Sequence, residues 1–290
     1  MNTNNISFIF FGSSQMSTYI LDELEKAGFL PVAIVSTPDK PVGRKQILTP
    51  TPVKAWAVER NIKVFDPAKL SDIVEQLRSE KAEVFLTASY GKIIPLEVLS
   101  IPPHGTLNVH PSLLPKYRGA SPLQSAILDD AKVTGVSIMK IDAQMDHGPV
   151  LIQKEIKMEE WPSYGKFEEM MAREGGKMLA AILPQWVAGT IQEKEQDHSL
   201  ATNSRKFTKE DGEINLNDDP YLNFRKIQAF HEWPQAFFFF EHEQTAGTRK
   251  IRVKITAASY KDGKLVIEKV IPEGGKEMSY GDFLRGYTKR

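Results

Sequence analysis

The sequence predicts an α/β chain, a Rossmann-like, mostly parallel sheet followed by a small antiparallel β-barrel, and three observations carry that prediction. Short apolar runs alternate with stretches of helical spacing as far as residue 187, the pattern of repeated βαβ units. A polar stretch nearly devoid of core residues follows from Gly189 to about Thr208, the composition of a linker crossing a surface. Beyond it the apolar period changes to two, with turns at Gly247 and Asp262-Gly263. Domains at 1–189 and 208–290, joined by a linker at 190–207, are the expected division.

Ile6-Ser7-Phe8-Ile9-Phe10-Phe11 is an apolar run ended by Gly12 and two serines, and Met16, Ile20, Leu21 and Leu24 then repeat at helical spacing before a stop at Gly28. Residues 30 to 35 supply a second buried strand and complete a βαβ unit. The turn Gly12-Ser13-Ser14-Gln15 lacks the second and third glycines of a dinucleotide fingerprint, so neither NAD nor FAD is predicted. Residues 38 to 52 have several prolines, no apolar periodicity and the cations Lys40, Arg44 and Lys45. They read as a long loop, basic enough to meet phosphates or simply solvated. A helix over 53–60, a strand at 63–65, a helix over 71–81 and a strand at 84–88 continue the alternation. The following Ser89-Tyr90-Gly91-Lys92-Ile93-Ile94-Pro95 leaves the sheet in a turn rich in apolar residues. A strand at 106–110, a helix near 122–128, strands at 136–141 and 150–156, and a long amphipathic helix over 164–187 complete the first domain. In the tail, residues 236–240, 251–255 and 264–268 read as barrel strands, and from Arg249 onward bases outnumber acids.

Composition narrows the chemistry. With 41% hydrophobic and 26% charged residues over 290 positions, the chain can bury a substantial core. No run is apolar for long enough to span a bilayer, and the first residues lack the regions of an export signal, so a cytoplasmic location and no membrane partner are expected. Cysteine is absent, which excludes disulfides, thiolate nucleophiles and cysteine-held metal centres. There are six histidines and no HxxxH or HxxE spacing, so no metal is expected either. A net charge of zero gives no global pull toward nucleic acid, and RNA binding would rest on local basic patches.

The candidate site begins at the carboxyl end of the strand Thr106-Leu107-Asn108-Val109-His110. Period-two alternation puts Asn108 and His110 on one face, an amide beside an imidazole where parallel sheets place ligands. Pro111 and Pro115 then flank Ser112, Leu113 and Leu114 in a stiffened loop that can offer its backbone to a ligand. A second loop, Asp142-Ala143-Gln144-Met145-Asp146-His147-Gly148-Pro149, carries two carboxylates and a histidine, which can serve as an acid–base site or as turn formers.

Taken together, Asn108-Val109-His110, Ser112-Leu113-Leu114-Pro115, Arg118-Gly119 and Asp146 before Gly148 resemble the signature of the 10-formyltetrahydrofolate-dependent formyltransferases. Glycinamide ribonucleotide, sugar-amine and methionyl-tRNA formyltransferases share that signature. Thr37-Pro38-Asp39-Lys40-Pro41-Val42-Gly43-Arg44 resembles the basic insertion of the methionyl-tRNA branch. Phe207-Thr208-Lys209-Glu210-Asp211-Gly212 and Trp233-Pro234 resemble the start of its OB-like C-terminal domain. The chain departs from the family at Gln144 and His147, where glycine and threonine are common, and at Gln228, where arginine is usual.

The resemblance implies an enzyme that moves a formyl group from 10-formyltetrahydrofolate to the amine of methionyl-tRNA, without a metal and as a monomer. Asn108 and His110 would donate to the formyl oxygen as it gains charge. Asp146 would hold the imidazole charged and relay the amine's proton. The pterin would lie near Leu86, Tyr90 and Ile94, with core packing an equal alternative for Leu86, and the backbone of Ser112, Leu113, Leu114, Pro115, Ile141 and Asp142 would read its polar edge. Arg44, Lys45 and Lys40 would contact tRNA. Rival readings are a sugar N-formyltransferase using the same three residues, a hydrolase of the formylated folate, and a non-catalytic folate- or RNA-binding module.

Overall fold

A computed structural model describes residues 6–43, 46–244 and 247–288. β1 (Phe8–Phe11) is fully buried and leads into α1 (Gln15–Lys26), which buries Met16, Ile20, Leu21 and Leu24 at the expected helical spacing. β2 (Ala33–Val35) then pairs parallel to β1, with Phe10 opposite Ile34. The stretch expected as a loop instead contains a two-stranded antiparallel ribbon, β3 (Lys40–Val42) and β4 (Ile47–Thr49). Its β4 side chains are exposed on both faces, so no apolar alternation marked it. Arg44 and Lys45 lie outside the described residues.

α2 (Pro52–Glu59) starts at Thr51, whose hydroxyl accepts from the Lys54 N–H at 3.2 Å, and runs to β5 (Lys63–Phe65). Where one helix was expected over 71–81, a 3₁₀ turn at Leu70–Ile73 precedes the short α3 (Val74–Ser79). The chain continues through β6 (Val84–Thr87), α4 (Leu96–Leu99), β7 (Thr106–His110), β8 (Arg118–Gly119), α5 (Pro122–Leu128), β9 (Val133–Lys140), β10 (Val150–Lys157) and α6 (Tyr164–Val187). After β11 (Asn203–Ser204) come α7 (Pro220–Ala229), β12 (Phe237–Gln244), β13 (Gly247–Lys261), β14 (Lys264–Pro272), β15 (Met278–Ser279) and α8 (Tyr280–Thr288).

The main sheet has the order β10-β9-β7-β6-β1-β2-β5. From β7 to β5 the neighbours are parallel, and β9 joins β7 antiparallel. This is an α/β fold with a mostly parallel central sheet. The chain leaves β1 through β2 to β5 and returns to β6 on the other side of β1. The carboxyl ends of β1 and β6 therefore flank a topological switch point, where such sheets open a crevice.

Contacts gather the chain into two compact units. The first holds residues up to Gly119, Thr134–Lys157 and Glu168–Asn203. On one face of its sheet Ile9, Phe11, Val35, Leu77 and Phe85 form a buried cluster. The second holds Ala120–Val133, Met158–Phe167 and residues from Ser204 onward. Its antiparallel sheet, in the order β12-β13-β14-β15, packs Phe238, Val253, Ile255 and Val270 with Phe283 of α8. Among the described residues no helix is long and apolar enough to cross a membrane.

Candidate active site

β7 is bonded on both sides. Its Asn108 stands opposite Thr87 of β6 and Met139 of β9, and its His110 opposite Ser137 of β9. Two ladders thus fix the direction in which the amide and the imidazole leave the strand. Asn108 is half-buried and His110 buried. The His110 Nε2 lies 3.0 Å from the Tyr117 carbonyl oxygen. A carbonyl only accepts, so Nε2 carries the hydrogen and Nδ1 is the atom turned toward the second loop.

That loop brings Asp146 to the same place. Its Oδ1 lies 3.7 Å from His110 Nδ1 and 3.5 Å from Asn108 Nδ2, while Oδ2 accepts from the Gly119 N–H at 2.8 Å. An amide, an imidazole and a carboxylate, separated by up to 38 positions in sequence, share one cluster. Asp146 adopts a left-handed backbone, φ +51°, a conformation uncommon outside glycine that aspartate tolerates better than most residues. Gly148 follows because the loop turns back onto β9: a Cβ there would stand 2.1 Å from the Lys140 carbonyl oxygen. Asp142 plays a different part, accepting from Gln144 N at 2.8 Å and pairing with His147 Nδ1 at 2.7 Å.

The proline-bounded loop is held from inside. Ser137, fully buried on β9, donates to the Ser112 carbonyl at 2.6 Å and accepts from Leu114 N at 3.0 Å. Gln153 donates to Leu114 O at 2.8 Å, the Ser112 hydroxyl donates to Lys116 O at 2.6 Å, and Pro115 O accepts from Thr202 N at 3.2 Å. Leu114 packs with Met139 and Val150, and Leu113 is half-buried. The polar backbone of this loop is thus largely engaged, and what it offers a ligand is the free lone pair of each carbonyl.

Leu86 and Tyr90 are buried, and Ile94 packs partly buried against the core cluster. Leu86 is wholly enclosed, which makes it core packing beneath the site rather than a surface for a ligand. Burial pushes the Tyr90 phenol up to about 12, and its hydroxyl has no hydrogen-bond partner among the described residues. Tyr90 borders a cleft of about 440 Å³ at the switch point, whose lining includes Ser13, Ser14, Thr37, Ser89 and the two cations Lys40 and Lys92. Among the described residues no group of three histidines and acids could hold a metal ion.

Sequence reasoning missed the support behind Asp146. Arg118 donates through Nε at 3.1 Å and Nη2 at 2.6 Å to Gln196 Oε1, and Gln196 Nε2 donates to the carbonyls of Asp146 at 3.0 Å and Gly148 at 2.7 Å. Gln196 lies in the stretch expected as a linker. Its only signal was its amide, in a run where polar residues read as solvated.

Comparison with known proteins settles the lineage. The family model described as formyl transferase matches residues 4–183. The chain belongs to the formyl transferase family. It is 38% identical to the methionyl-tRNA formyltransferase of Chloroflexus aurantiacus over 92% of this chain and 85% of the relative. It is 36% identical to that of Listeria innocua over 96% and 95%. The solved methionyl-tRNA formyltransferase of Clostridium thermocellum superposes with a TM-score of 0.61 at 17% identity, over 94% of this chain and 99% of that one, which speaks to the shared fold. This formyl transferase thus resembles those relatives along nearly its whole length.

Proposed function

We propose that the protein transfers the formyl group of 10-formyltetrahydrofolate to the free amine of methionyl-tRNA, in the cytoplasm and as a monomer. One observation carries this reading: Asn108, His110 and Asp146 meet at the carboxyl end of β7 in a chain 38% identical to a methionyl-tRNA formyltransferase over 92% of its length. The amine nitrogen bonds to the formyl carbon and the carbon's bond to N10 breaks. Charge gathers on the formyl oxygen in between, and the Asn108 amide donates to it together with the His110 imidazole in the form that carries a hydrogen on Nδ1 as well, since the Nε2 hydrogen is held by the Tyr117 carbonyl. The amine proton passes to Asp146 and, through water, to N10, so protons balance. The pterin sits by Tyr90 and Ile94, its polar edge against the carbonyls of Ser112, Leu113, Leu114 and Pro115 and the backbone from Ile141 and Asp142 onward.

The acceptor side of this reading rests on charge and rings. Lys40 and Lys92 rim the cleft at the switch point, which suits a phosphate-bearing acceptor, and in the sequence Lys40 is followed by two further cations, Arg44 and Lys45, which lie outside the described residues. Within the C-terminal sheet, Lys250 stands 4.5 Å over the ring of the part-exposed Phe239 and Arg252 3.7 Å over Phe237, a pairing of cation and ring that suits RNA. We assign chemistry to residues 1–189 and RNA holding to an OB-like domain at 208–290, with 190–207 between them.

The test is formyl transfer from 10-formyltetrahydrofolate to charged initiator tRNA, beside elongator methionyl-tRNA and a nucleotide-linked amino sugar. Transfer to initiator tRNA that weakens steeply as salt rises supports the proposal. Transfer to the amino sugar alone overturns it in favour of a sugar N-formyltransferase.

A further inference from the structure

We propose that Gln196 is a positioning residue for formyl transfer, acting through the backbone of Asp146, an inference that rests on the reading of Asp146 as the proton acceptor. Its side chain is buried and every hydrogen-bonding position on it is used. Oε1 accepts twice from Arg118, and Nε2 gives one hydrogen to the Asp146 carbonyl and one to the Gly148 carbonyl. The two carbonyls bracket His147, so one amide group pins both ends of the tripeptide that presents the carboxylate.

The clamp is joined to the other grip on Asp146. Arg118 holds Gln196, and the next residue, Gly119, donates its N–H to Asp146 Oδ2 at 2.8 Å. The dipeptide therefore acts on Asp146 twice, once through the carboxylate and once through Gln196. Behind it, Arg118 Nη2 donates to His198 Nδ1 at 2.8 Å, and the His198 ring stacks on His147 with centroids 4.0 Å apart. Two backbone bonds between Lys194 and Val150, at 2.8 and 2.9 Å, dock the same segment beyond the loop. Residues 194–198 are thus a tether along the loop of Asp146. A left-handed aspartate without this support would relax to commoner backbone angles and carry its carboxylate away from His110. Displacements of about 1 Å in catalytic groups can lower turnover by about a hundredfold.

The experiment compares Gln196→Glu and Gln196→Ala with Asp146→Asn and the unaltered enzyme, using 10-formyltetrahydrofolate and methionyl-tRNA, with KM, kcat and melting temperature measured for each. Gln196→Glu keeps an oxygen for Arg118 but has no N–H for the two carbonyls, so it separates the loop clamp from the Arg118 contact. The proposal expects kcat to fall by about tenfold or more in both Gln196 variants, with both KM values within about threefold when assayed below their lowered melting points, since losing these buried hydrogen bonds also costs stability. Gln196→Glu with kcat within about twofold of the unaltered enzyme overturns it, as does failure of both variants to fold, which would make Gln196 a stability residue. The two readings fail separately: an inactive Asp146→Asn beside a normal Gln196→Glu removes this inference alone, whereas an active Asp146→Asn removes the role given to Asp146 itself.

Discussion

Asn108 and His110 ride on a strand bonded on both sides, to β6 and to β9, whereas Asp146 sits on a loop in a left-handed backbone conformation. The strand aims its two side chains through main-chain ladders that any sequence of β propensity can form. The loop aims its one side chain through particular partners: the Gly119 N–H, the Gln196 amide and the close return at Gly148. The difference teaches where each half is vulnerable. Substitutions near the strand should act by packing, and substitutions near the loop by loss of named hydrogen bonds.

Removing the loop's charge should have the largest effect. Asp146→Asn is expected to lower kcat by about 10²–10⁴ with donor binding retained, because it removes the carboxylate proposed to accept the proton. A kcat within about tenfold of the unaltered enzyme would place proton transfer elsewhere. Next comes the strand's donor. Asn108→Ala is expected to cost about 10²–10³ in kcat, the usual loss for one donor to a developing oxyanion, and steady-state kinetics at saturating donor would check it.

Legibility in the sequence followed the same line. Period two and position at a strand end were enough to pair Asn108 with His110, and their neighbours then resembled a known signature. Asp146 was found through that signature, since nothing local distinguished it from a turn former such as Asp142, which indeed spends its carboxylate on Gln144 and His147. Gln196 was illegible because its burial depends on Arg118, Asp146 and Gly148, partners about 50 or more positions away. The β3–β4 ribbon is not legible because the β4 side chains are all exposed and leave no apolar period. Helix α7 does carry a start signal in the sequence: Asp219 accepts from Leu222 N at 2.7 Å, with Pro220 in the first turn.

Two smaller effects sharpen the contrast through stability. Gly175 of α6 lies against Val109, which stands between Asn108 and His110 in β7, and a Cβ there would meet Val109 Cγ1 at 2.4 Å and Val136 Cγ1 at 3.2 Å. Gly175→Ala should therefore destabilise by about 1–3 kcal/mol through overpacking, visible in the denaturant midpoint, and should lower kcat more than it raises either KM. An unchanged midpoint would show that the strand side has slack.

The least effect is expected at a second side-chain-held turn. Arg205 pairs through both guanidinium Nη atoms with Asp211, which also accepts from Thr208 N at 2.7 Å. These partners draw the Asp211 carboxyl from 3.8 down to about 2. A depressed carboxyl stabilises the fold above its unfolded pKa and stops doing so as pH falls toward the folded value. Because Arg205 is well exposed, Asp211→Asn should cost only about 1 kcal/mol or less at pH 7. The difference between the two melting curves should shrink as pH falls from about 4 toward 2. A gap that widened over that range would contradict the assignment.

Whether strand and loop form one catalytic unit is tested most directly by single-turnover formyl transfer in a double-mutant cycle of Asn108→Ala and Asp146→Asn. Groups that act on one transition state lose their effect together, so the double variant should be within about tenfold of the slower single variant. Fully multiplicative losses would mean that the 3.5 Å contact between Asn108 and Asp146 joins two groups working independently.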